Sequence, residues 1–144
     1  MKTIYLIPIV FLIFACNGMK DTSEHLSAKS GFFTTLYSSQ NQGRDTESNV
    51  VIDNQNALNA LFQSVGVEET PKVDFTKNQV VALFLGMKRT GGYTISIHKV
   101  EELDGKLIIY KKVDSPKADE MVTMALTNPF VIAEIHSTKE IIFK

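Results

Sequence analysis

Cysteine is almost missing from this chain: Cys16 is the single one in 144 residues. No disulfide can form within the chain, so a stable fold must rest on its own core. A charge of one sign is missing too. Fifteen Lys and Arg face sixteen Asp and Glu, for a net charge of −1. With no basic stripe and no basic–aromatic interleaving, a nucleic-acid partner is not expected. No internal repeat and no low-complexity block appears. Nor is there an apolar run long enough to span a membrane as a helix, which takes roughly 20 residues. Ile4 to Phe14, interrupted by Pro8, reaches about half of that.

Catalytic groupings are equally scarce. His25, His98 and His136 share no metal-ligand spacing, neither i, i+4 on a helix nor i, i+2 on a strand. The acidic residues come as neighbours, Glu68-Glu69, Glu101-Glu102 and Asp119-Glu120. Adjacent side chains on a strand point to opposite faces, which makes poor acid/base pairs. No phosphate-cradling glycine loop is followed by Lys-Ser/Thr, and no serine sits in a G-x-S-x-G elbow. The expectation is a protein without catalytic residues, metal or cofactor.

What is present at the N-terminus is a processing signal. Lys2 supplies a positive start, Ile4 to Phe14 an apolar segment, and Ala15 the small residue of a cleavage site. Leu12-Ile13-Phe14-Ala15-Cys16 resembles a bacterial lipobox through Ile13, Ala15 and Cys16. The resemblance implies diacylglycerol on the Cys16 thiol, cleavage after Ala15 and acylation of the new amine. Residues 1–15 are thus read as a cleaved lipoprotein signal peptide, and the membrane as a partner reached through lipid on Cys16. Each buried CH₂ contributes about 0.8 kcal/mol, and one acyl chain alone binds only marginally. Two or three chains give a firm anchor. Residues 16–30 are polar and read as a flexible tether. Asn17, rather than Asp, follows the cysteine. By resemblance to lipoprotein sorting signals this implies the outer membrane of the cell envelope.

Residues 31–144 are expected to form one domain. Phe32–Ser39, Asn49–Ile52, Gln79–Leu85, Tyr93–His98, Leu107–Val113, Val122–Leu126, Phe130–Ile135 and Glu140–Phe143 read as strands. Asp104-Gly105 marks a hairpin turn. Leu58, Leu61, Phe62 and Val65 recur at helical spacing, which predicts one helix near residues 54–65. Asp53 is placed to cap its start and Gly66 its end. The expected fold is mainly β (α+β): an antiparallel sandwich or roll of about seven strands with one packed helix. No dozen-residue helix separates the later strands, so a parallel βαβ sheet is disfavoured.

The stretch Gly86-Met87-Lys88-Arg89-Thr90-Gly91-Gly92-Tyr93 stands out between two apolar strands. One reading is a plain hairpin connection whose glycines make the bend, with Tyr93 starting the next strand. The other is a partner-binding loop carrying Lys88, Arg89, Thr90, Gly91, Gly92 and Tyr93. Asn128-Pro129-Phe130 is a second candidate, with Pro129 fixing φ ahead of Phe130 at a strand start.

Val73-Asp74-Phe75, Val80 to Gly86, Thr90 to Ile95, Leu107 to Val113, Pro116 and Leu126-Thr127-Asn128-Pro129-Phe130 together resemble the PrcB C-terminal domain family over roughly residues 73–136. Where that family often carries Val-x-Gln, this chain has Val122-Thr123-Met124. The resemblance implies a non-catalytic exported domain, because the family's namesake is an accessory lipoprotein of a cell-surface protease complex. A protease or another envelope protein is the partner it implies. Thr90-Gly91-Gly92-Tyr93 also faintly resembles the Thr-Gly-Tyr loop of chagasin-type inhibitors, which makes a peptidase inhibitor the alternative.

Overall fold

The computed structural model describes residues 29–144. The signal peptide, Cys16 and the tether up to residue 28 lie outside the described residues.

The backbone forms β1 (Lys29–Ser30), β2 (Phe33–Ser39), β3 (Ser48–Ile52), α1 (Gln55–Ser64), β4 (Gln79–Phe84), β5 (Thr94–Leu103), β6 (Lys106–Asp114), β7 (Phe130–Ile135) and β8 (Ile141–Phe143). One sheet has the order β1-β2-β7-β4-β3, the other β5-β6-β8. The expected mainly β fold with one helix is present. Lys29 and Ser30, read by composition as the end of the tether, pair antiparallel with Thr34 and Phe33.

Three layers result. β4 and β7 occupy the middle of the five-stranded sheet and are covered on both faces, which explains their near-continuous apolar runs. Val80, Ala82, Phe84, Phe130 and Ile132 turn toward Leu58, Leu61, Phe62 and Val65 of the helical layer. The alternate residues Val81, Leu83, Val131, Ala133 and Ile135 meet Ile95, Ile97, Val100, Leu107 and Ile109 of the other sheet. A period of two thus serves two cores at once. An extra residue in β2, between Thr35 and Tyr37, shifts the register against β7. Leu36 and Tyr37 both pack against the helical layer.

The helix ends follow local chemistry. The N-cap is Asn54, one residue later than expected. Its Oδ1 accepts from the Ala57 N–H at 2.8 Å, while Asp53 accepts from Asn54 Nδ2. At the other end Gly66 takes φ +73°, the Gly66 N–H donates to Gln63 O, and the Val67 N–H donates to Phe62 O. This paired pattern with a left-handed glycine satisfies the last carbonyls.

Three strand expectations need correction. Residues 122–126 form no strand. Their β-prone side chains find no neighbouring strand edge, and β propensity counts only where a partner is available. β4 and β5 do not pair, so residues 86–93 are not a hairpin. Both neighbours of β4 are already β3 and β7, and the chain crosses to the other sheet instead. Finally, β8 pairs with β6 in parallel. The long return between them passes through β7 of the opposite sheet, so no crossover helix is needed.

Candidate functional site

Three connections meet at one end of the sandwich: residues 40–47, 85–93 and 115–129. Their hub is Leu126-Thr127-Asn128-Pro129-Phe130. Thr127 and Lys88 exchange both backbone hydrogen bonds, at 2.8 and 3.0 Å. The Thr127 hydroxyl donates to Thr90 O at 2.9 Å. The Asn128 N–H donates to Gln40 O, its carbonyl accepts from the Gly43 N–H, and its Nδ2 donates to Asp45 Oδ1 at 2.8 Å. Pro129 O accepts from Leu85 N–H at 2.9 Å. Pro129 and Phe130 are fully buried, and Phe130 stacks on Phe84 at 5.6 Å between centroids. A proline cannot donate to a ladder, and here it needs no donor. The turn therefore pins two other loops to the rigid end of β4 and β7.

Each glycine of the 86–93 segment has its own reason. Gly86 and Gly92 take positive φ, +76° and +85°. Gly91 does not. It is buried where a Cβ would lie 2.5 Å from Thr123 Oγ1, and its N–H donates to Thr123 O at 2.9 Å. Close approach explains Gly91, and backbone conformation explains the other two.

The predicted loop residues divide accordingly. Tyr93 is half-buried and packs against the inter-sheet core, with the Lys88 ammonium 5.8 Å above its ring. Thr90 is tied down through its carbonyl to Thr127. Gly91 and Gly92 lie against Thr123, Pro116 and Val122. Arg89 is exposed and, among the described residues, makes no ion pair. Of the six candidates, then, Arg89 is the one with an exposed side chain. The strand begins at Thr94, one residue after Tyr93.

The segment that carries Arg89 and the segment bridged to it share an apolar set that no spacing pattern in the sequence announces. Met121, Met124 and Leu126 are 98%, 85% and 63% exposed, and Met87 is 50% exposed. All four sit on the two segments joined at Lys88 and Thr127. The signal was available only indirectly: four apolar residues on segments expected to be a loop and a strand. Flexible, polarizable methionines at a surface suit adaptable protein contacts.

Charge is organised elsewhere, on the three-stranded sheet. Glu101 bonds the Lys99 ammonium and accepts from the Tyr110 hydroxyl at 2.6 Å. The Lys99 hydrogen bond, then that of Tyr110, holds the Glu101 carboxyl below the usual glutamate range. The same contacts with Glu101 raise Lys99 and Tyr110. Glu102 in turn bonds the Lys139 ammonium at 2.5 Å, so both members of this carboxylate pair are ion-paired. The pair offers no second carboxylate on the same face for acid/base work. His98 is exposed on β5, and His136 contacts Thr34 Oγ1 at 3.2 Å. Among the described residues no three His, Cys, Asp or Glu cluster closely enough to hold a metal ion.

The match with known families runs over this same region. Residues 79–136 match the family PrcB C-terminal. The PrcB C-terminal match opens at β4 and closes just after β7, so it contains both the 86–93 segment and the Leu126–Phe130 hub. It agrees with the resemblance read over 73–136, beginning six residues later. No curated protein and no solved structure matches the chain.

Proposed function

We propose that this chain is a lipid-anchored, non-catalytic accessory subunit that binds an envelope or cell-surface protease through the three-loop face. The observation that carries the reading is the exposed set Met87, Arg89, Met121, Met124 and Leu126 on loops clamped to the PrcB-like hub. Binding side chains on loops held by a rigid scaffold keep their geometry without an ordering cost at each encounter. Scattered exposed apolar residues are ordinary. Four on adjoining segments that also carry an arginine without an ion pair fit a docking patch.

Lipid on Cys16 tethers the domain to the envelope membrane, outer membrane by the Asn17 signal. The support is the three-part N-terminus and the position of the sole cysteine. The inhibitor alternative needs residues 90–93 to project as a wedge. They lie flat along residues 116–127, with Tyr93 turned toward the core, and no observation favours that alternative.

Affinity purification of the chain from membranes in mild detergent tests the proposal. Co-recovery of a peptidase in stoichiometric amount is expected. A clean preparation with no peptidase would count heavily against it.

A further inference from the structure

The sheet edges are not equally protected. Exposed strand edges invite pairing unless they are short, charged or bulged. β1 has two residues and β8 three. β5 carries Lys99, Glu101 and Glu102 and a register shift between Ile97 and Lys99. β3, Ser48-Asn49-Val50-Val51-Ile52, has five residues, no charge, no proline and no irregularity against β4. No described strand lies on its outer side. Alternate residues of an antiparallel edge strand direct N–H and C=O away from the sheet.

A groove of about 340 Å³ runs between this edge and α1, lined by Val50, Ile52, Ala57, Ala60 and Leu61. The small side chains of Ala57 and Ala60 leave the space open. Arg44 lines it too, next to Ser48 at the start of β3. Its guanidinium sits 4.5 Å above the Phe84 ring, and Nη1 donates to Ser48 Oγ at 3.5 Å. No carboxylate among the described residues pairs with it. β3 runs from Ser48, beside Arg44, toward Ile52. A strand added antiparallel to β3 therefore ends at Arg44.

We infer that this groove takes an extended peptide of alternating apolar residues as a sixth strand, antiparallel to β3, with a carboxylate at its C-terminal end held by Arg44. Main-chain hydrogen bonds to β3 supply affinity, alternate side chains fill the groove, and the unpaired guanidinium selects the anion. Apart from Arg44, which lies on the 40–47 loop, the inference uses none of the loop-face residues, and it does not rest on the protease-accessory reading.

The test is panning of the immobilised full chain, in detergent, against random heptapeptides with free C-termini. Enrichment of alternating apolar peptides ending in a carboxylate is expected. Affinity should fall about tenfold in Arg44→Gln. It should be lost in Val51→Lys, whose side chain is already 43% exposed, and equally when the peptide carries N-methyl groups at alternate positions. The N-methyl arm leaves the protein unaltered and so does not depend on the variants folding. Amidating the peptide terminus abolishes binding if the end carboxylate is the anion. Loss only on Glu→Gln or Asp→Asn exchange in the peptide assigns it to a side chain. No enriched sequence, or enriched peptides indifferent to Arg44→Gln and Val51→Lys, would overturn the inference. A concentration-dependent dimer abolished by Val51→Lys would also overturn it, because the groove would then hold a second copy.

Discussion

Gly43→Ala should be among the most damaging single-methyl additions in the domain, although Gly43 lies in a surface loop. Its φ is not positive, so alanine meets no backbone penalty there. The cost is steric. An added Cβ would lie nearer to the Asn128 carbonyl oxygen than the 3.0 Å that real Cβ atoms keep, and 3.1 Å from Phe130 Cδ1. Neither neighbour yields easily. Asn128 is held from Gln40, Gly43 and Asp45, and Phe130 is buried at 1% exposure. Relief requires loop 40–47 to lift away, breaking the 3.0 Å bond from the Gly43 N–H to Asn128 O. Losing that bond costs about 1 kcal/mol, and crowding beside a packed aromatic adds about 1–3 kcal/mol. The expected destabilisation is about 2–4 kcal/mol, a fall in Tm on the order of 10 °C for a domain of this size. Urea unfolding of both proteins measures it. Gly31→Ala is the control, because nothing lies within 4 Å of its Cβ position. A Gly43→Ala protein within 0.5 kcal/mol of the parent would refute the clamped-hub argument.

Asn54→Ala should cost about 1 kcal/mol by removing the acceptor for the Ala57 N–H, whereas Asp53→Ala should cost less; denaturant melts of the pair decide between them. Glu101 titrates lower in the folded chain than in the unfolded one. Its contribution to stability is therefore complete above the ordinary glutamate pKa and lost as pH falls through the lowered folded value. Unfolding of Glu101→Gln followed on the acid side should show a shallower loss than the parent, and identical profiles would remove this contribution. The proposed lipid anchor predicts that Cys16→Ser leaves the membrane fraction on carbonate washing; retention there would exclude lipid on Cys16.

Elements defined by local pattern were legible in the residues. Leu58, Leu61, Phe62 and Val65 marked the helix, Asp104-Gly105 the hairpin, and Gln79–Leu85 and Phe130–Ile135 the doubly covered strands. What escaped was long-range. Nothing within Gly86–Tyr93 reveals that β4 is already flanked by β3 and β7, so a glycine-rich link between two strands looks like a hairpin. Residues 122–126 have strand-like composition, but their neighbour is a loop that accepts backbone pairing only near Thr123 and Thr127. The parallel partner of β8 depends on a connection that threads the opposite sheet. The helix cap moved from Asp53 to Asn54 because two adjacent residues offer the same acceptor. In the loop face, the glycines and Asn128-Pro129-Phe130 stood out by type, while the exposed methionines became meaningful only once two distant segments were seen side by side.

The most direct test of the central claim places a photoreactive residue at position 124 of the lipidated chain in intact cells, with position 72, also exposed but far along the chain, as the comparison. The docking account predicts one dominant adduct to an envelope protease from position 124, weakened by Arg89→Ala, and none from position 72. No adduct from position 124, or equal adducts from both positions, would contradict it.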